Sequence, residues 1–228
     1  FQESGVSPEQ QALELVAHLG SGALCAEAEV LERLRRLNAR ERIGQPGRGS
    51  WTLIGALGRL GTPRAIAGLS GLLQGEGPHE HAFVEAAARA LARVGSVAIP
   101  ALERALDSPR GPTAAWAAVV LAHLCEEHPR LLESLRAALR IEAWHYLRER
   151  VVRALVYRDL QAQCRAELIE LLQLEAGDYL VETLCSLLVR EGWHEDATAR
   201  DHLSVLLAHE KRSAQAAAQA ALEGRDPC

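Results

Sequence analysis

Ala56-Leu57-Gly58-Arg59-Leu60-Gly61 recurs as Ala90-Leu91-Ala92-Arg93-Val94-Gly95, 34 positions further on, and this doubling decides the fold. The residues that follow recur too. Ala65-Ile66-Ala67-Gly68-Leu69 is matched by Ala98-Ile99-Pro100-Ala101-Leu102, 33 positions later, so one residue is dropped in the turn. A helix closed by glycine, a short turn and a second helix with a small-and-aliphatic face form one unit of a helical solenoid.

Working outward, Trp51 to Leu60 and Pro63 to Leu73 form the first hairpin of the doubled pair, and His79 to Val94 with Val97 to Leu106 form the second. Gly75-Glu76-Gly77-Pro78 parts them, and Ser108-Pro109-Arg110-Gly111-Pro112 makes the next break. A more divergent hairpin is expected over Thr113 to Cys125 and Pro129 to Leu139, with Leu121 and Leu124 in the places of Leu91 and Val94. Beyond it the repeat fades while helical spacing persists. Leu147, Val151, Val152 and Leu155 mark one helix, Leu168 to Leu172 its partner, and Leu180 to Leu188 another that ends at Gly192. Asp196 is placed to cap the next, and an alanine-rich helix from Ser213 to Leu222 suits a terminal repeat. Upstream, Ser7-Pro8-Glu9-Gln10 starts a helix that stops at Gly20, and a second runs from Cys25 to about Arg40. The total is about a dozen helices joined by short turns, with no alternating strand pattern.

Composition agrees. Hydrophobic residues are 48% of the 228 but aromatics only 4%, so a core must be built from Leu, Ala and Val, which permits close helix approach. No run of about 18 uncharged apolar residues exists to span a membrane. The net charge of −5 argues against general nucleic-acid binding. Cys25, Cys125, Cys164, Cys185 and Cys228 are dispersed, odd in number and without CxxC spacing, which reads as reduced thiols in a cytoplasmic protein. Methionine is absent even from position 1, which reads as a trimmed or processed chain.

The segments IGALGRLGTPRAIAGLSGLL (Ile54 to Leu73) and AARALARVGSVAIPALERAL (Ala87 to Leu106) resemble HEAT-like repeats of the phycobilin-lyase type found in bacterial proteins. The resemblance covers Trp51 to Leu106 well and extends to Leu139. It implies an all-α, right-handed α-solenoid of stacked antiparallel helical hairpins. The expected organisation is an N-terminal helical pair or cap over 1–48, HEAT-like repeats over 49–140, and divergent repeats with a C-terminal cap over 141–228, all one continuous solenoid. A rigid array of this kind holds side chains of successive hairpins at regular separation, so the expected function is a non-enzymatic scaffold or adaptor that holds a partner protein in its concave face. A bilin-lyase-like chaperone-enzyme is one alternative, and a DNA-binding or repair protein of the HEAT-like alkylpurine glycosylase type is another.

In such an array the second helix of each hairpin lines the concave face. The outward positions expected to meet a partner are Arg64, Gln74, Glu103, Arg104, Asp107, Arg130, Glu133, Arg136, Arg140 and Arg165. Two arginine clusters bear on the DNA alternative: Arg33, Arg35, Arg36, Arg40, Arg42 and Arg48, and Arg130, Arg136, Arg140, Arg148, Arg150, Arg153 and Arg158. They track phosphates only if they share a face. A catalytic trio of Trp144, Asp159 and Arg148 has no motif behind it. Trp51, Phe83, Trp116, Trp144 or Tyr146, and Tyr179 recur near the start of first helices, as packing at repeat junctions or as anchors for a partner. His79 with His81, and His123 with Cys125 and His128, lack zinc-ligand spacing, because residues two apart diverge on a helix. No catalytic, cofactor or metal residues are assigned.

Overall fold

The computed structural model describes residues 27–28, 30–32, 48–74, 80–125, 127–141, 145–173 and 178–227. The expected first helix, the arginine cluster before Arg48, His79, Trp144, Cys25 and Cys228 lie outside them. The described part contains eleven α-helices and no strand: α1 Arg48–Leu60, α2 Pro63–Leu73, α3 Glu80–Val94, α4 Ile99–Leu106, α5 Gly111–Leu124, α6 Leu131–Leu139, α7 His145–Tyr157, α8 Arg165–Glu170, α9 Asp178–Arg190, α10 Ala197–Leu206 and α11 Arg212–Leu222. Glu27, Ala28 and Val30 to Glu32 are also helical, within the second helix expected upstream.

The chain divides into two compact units, Phe1–His128 and Pro129–Cys228. Within the first, α1 packs on α3 and α3 on α5, while α2 packs on α4. Within the second, α7 packs on α9 and α9 on α11, while α6 packs on α8 and α8 on α10. First helices thus stack on first helices and second on second, the layering of an all-α solenoid.

Local chemistry sets the turns. Gly61, Gly95 and Gly192 end helices with φ of 61°, 81° and 71°, a left-handed conformation that costs glycine nothing. The Thr62 hydroxyl accepts from the Ala65 amide at 3.0 Å to cap α2, and Pro63 fills the first helical position, where no amide hydrogen is needed. Asp196 caps α10 as expected, accepting from the Thr198 and Ala199 amides. Two starts differ from expectation. Val97 falls in a 3-10 turn, Gly95–Ala98, and the α-helix begins at Ile99 just before Pro100. Pro129 and Arg130 form a turn, and α6 begins at Leu131.

α5 has no polar stripe. Ala115 to Ala122 are all buried, as a helix apolar on every side must be. Its entry is tied to the first hairpin of the same unit. The buried Thr113 hydroxyl donates to the Leu73 carbonyl at 2.8 Å, and Arg110 Nη1 donates to the Gln74 carbonyl at 3.1 Å. Both satisfy carbonyls orphaned at the end of α2.

Candidate functional site

The second helices expose the same positions at a strict interval of 33. Arg64, Val97, Arg130 and Gln163 form one set and Ala67, Pro100, Glu133 and Ala166 the next. Gly71, Arg104, Ala137 and Glu170 form a third, and Gln74, Asp107, Arg140 and Gln173 a fourth. All sixteen are exposed. Beneath them Leu69, Leu102, Leu135 and Leu168 are buried, as are Leu73, Leu106, Leu139 and Leu172. The exposed positions fall at steps of three and four along each helix and the turns that flank it, so each presents one ridge opposite its leucines. Two of these helices, α2 and α4, belong to the first unit, and α6 and α8 belong to the second.

Of the ten expected partner-binding residues, Arg64, Gln74, Arg104 and Asp107 stand at ridge positions of the first unit and Arg130, Glu133 and Arg140 at those of the second, whereas Arg136 and Arg165 do not. Glu103 is exposed beside it and lies 3.5 Å from His128 Nε2. In the first unit the ridge arginines make no ion pair among the described residues; Arg104 Nε donates to the Pro100 carbonyl of its own helix at 3.2 Å.

The second unit uses its arginines differently. Arg136 Nε lies 2.9 Å from Glu167 and its Nη1 3.4 Å from Glu133, while Nη2 donates to the Gln163 carbonyl. Arg140 also reaches Glu167, at 3.8 Å. Arg165 pairs with Asp196 at 2.7 Å and lies over the Trp193 ring, 5.6 Å from its centroid. Arg136 and Arg140 therefore link α6 to α8, and Arg165 reaches the residue that caps α10. Glu167, ahead of its other neighbours, holds the Arg136 guanidinium more firmly protonated than usual.

Cys164 is buried beneath Arg136, and burial pushes its thiol pKa up, with the guanidinium opposing. A thiol with a raised folded pKa stabilises below its unfolded pKa, and that contribution is lost as pH rises, because only the unfolded thiol ionises. Urea midpoints are expected to fall as pH climbs through the ordinary thiol range, and Cys164→Ala is expected to flatten that slope. An unchanged slope in the variant would contradict the assignment.

The second arginine cluster does not share a face. Arg136 lies on α6 and Arg140 caps its end, Arg153 pairs with Glu149 on α7, and Arg150 lies over Tyr146. Arg148 is only 3% exposed, on the line of Val151, Val152 and Leu155. The described arginines of the second cluster therefore do not form one basic surface of the kind that tracks a duplex. Among the aromatics, Phe83 and Trp116 are buried packing residues, whereas Trp51, Tyr146 and Tyr179 are exposed. Among the described residues no three His, Cys, Asp or Glu side chains gather as a metal site would need. None of the described helices is long and apolar enough to cross a membrane.

An interval of 34, taken from the first helices, hides the continuation of the repeat. At 33 the paired leucines 69 and 73, 102 and 106, 135 and 139, 168 and 172 are plain in the sequence. The sequence-distant acceptors Glu167 and Asp196 leave no comparable trace.

Residues 48–122 match the family model for HEAT repeats. No curated protein matches the chain. With the stacked hairpins and the 33-residue ridge, that match makes this chain a HEAT-like repeat protein.

Proposed function

We propose that the protein is a non-enzymatic scaffold that binds a partner protein through the ridge positions of α2 and α4 in its first unit. HEAT repeats generally mediate protein–protein interaction. The observation that carries the finer reading is the contrast between the units. Among the described residues the ridge arginines of α2 and α4 make no ion pair, whereas in the second unit the ridge residue Arg140 and its off-ridge neighbours Arg136 and Arg165 are engaged by acids from neighbouring turns and helices. A rigid ridge of mixed charge at regular spacing reads an extended protein segment by position, at little entropic cost to itself. In the second unit Arg136, Arg140 and Arg165, of which only Arg140 stands at a ridge position, tie neighbouring repeats together. Cys164 and Cys185, buried and outside any disulfide, support a reducing compartment such as the cytoplasm.

The test is the double variant Arg64→Glu/Arg104→Glu. Both positions are exposed, so stability is expected to change by less than about 0.5 kcal/mol. Co-purification of the partner from extract of the source organism is expected to weaken about tenfold or more, the loss of about 1.4 kcal/mol of binding. Undiminished co-purification would rule the ridge out as the contact.

A further inference from the structure

The chain has three tyrosines, and all three lie on the outer side of the first helices of the second unit. Tyr146, Arg150, Arg153 and Tyr157 are spaced four, three and four apart on α7, which puts them on one line down the helix. The equivalent line on α9, 33 residues on, begins at Tyr179 and ends at Arg190. α7 packs directly on α9 in a shared register, since Leu147, Val151, Val152 and Leu155 are buried as Leu180, Leu184, Cys185 and Leu188 are. The two lines therefore form one surface, held rigid from below.

That surface is aromatic and outwardly cationic. Tyr157 is 61% exposed and Tyr179 76%, far more than a packing role would leave open. Arg150 lies over the Tyr146 ring, 4.9 Å from its centroid, and donates to the Tyr146 hydroxyl at 3.1 Å, so the pair stands as one preorganised group. The charges are layered in depth. Arg153 is 58% exposed but its partner Glu149 only 12%, and Arg190 is 53% exposed against 23% for Glu191. The carboxylates are sunk and the guanidiniums stand out, so an approaching molecule meets positive charge on a chain whose net charge is −5. Tyrosine and arginine are the residues enriched where interfaces bury most energy, and tyrosine orders at low entropic cost.

We propose that this face docks an acidic protein segment, with its carboxylates on Arg150, Arg153 and Arg190 and an apolar or aromatic side chain laid against the tyrosines. A nucleic-acid strand, which needs a continuous basic track, fits less well, because on α9 Thr183 and Ser186 stand between Tyr179 and Arg190. The face lies on first helices, so the proposal stands apart from the second-helix ridge.

The experiment is fluorescence anisotropy with the full chain and a labelled peptide of four Glu-Glu-Phe repeats, alongside a Lys-Lys-Phe counterpart and an oligothymidylate. Saturable binding of the acidic peptide is expected, weakening as salt is raised. Tyr179→Ala and Arg150→Ala are each expected to reduce affinity about tenfold, a loss of about 1.4 kcal/mol. Arg64→Glu/Arg104→Glu is expected to leave it unchanged, which separates this face from the ridge. No saturable binding at millimolar peptide, affinity indifferent to both single variants, or equal binding of the lysine peptide would overturn the proposal. Tighter binding of the oligothymidylate would overturn it in favour of nucleic acid.

Discussion

Gly58→Leu is expected to cost the first unit about 3 kcal/mol, the upper end of what overpacking a close-fitted core costs. Gly58 is buried where α1 meets α3, and a Cβ added there would lie 3.0 Å from Ala90 Cα, Cβ and carbonyl oxygen. Two of those three atoms are backbone, so no rotamer change relieves the contact; the helices themselves must separate. Alanine at 58 sets that push against a helix-propensity gain of about 1 kcal/mol. Leucine adds a whole isobutyl group and forces α1 off α3, exposing Leu53 and Leu57, which are fully buried. Gly71→Ala is the control. On the exposed side of α2, no heavy atom lies within 4 Å of the place an added methyl would take, so only propensity operates, and a gain of about 0.5–1 kcal/mol is expected. Urea denaturation of both variants checks the pair. Parental stability in Gly58→Leu would mean that α1 and α3 do not meet at this point.

Much of this architecture is legible in the sequence because the information is local. Thr62-Pro63, Gly61, Gly192 and Asp196 each act within one turn of the chain, and all sit where their chemistry predicts. Three features escape such reading. α5 is apolar all round, so spacing alone offers no inward face to choose. Arg148 is buried on a line otherwise made of Val151, Val152 and Leu155, and composition cannot tell it from the exposed Arg153 five residues away. The outward positions Arg136 and Arg165 belong to the correct helices, but their ion-pair partners lie 31 residues off in sequence, at Glu167 and Asp196. Which arginines brace the fold is therefore decided by tertiary register. Residue type and spacing locate the exposed positions; the ion pairs among them are visible only in the structure.

The second helices α2, α4, α6 and α8 repeat every 33 residues with their leucines turned inward, and a leucine-to-alanine series measures that directly. Leu69, Leu102, Leu135 and Leu168 occupy the same place in four successive second helices and are at most 1% exposed. Each replacement is expected to cost about 2–5 kcal/mol, the transfer loss plus the cavity left behind. Glutamine at Ala67, Glu133 or Ala166, on the exposed ridge of the same helices, is expected to change stability by less than about 0.5 kcal/mol. A uniform large loss at the four leucines beside near-neutral ridge substitutions is the predicted result of the urea measurement. A small loss at Leu135 or Leu168, with Leu69 and Leu102 behaving as expected, would contradict the continuation of the repeat beyond α5.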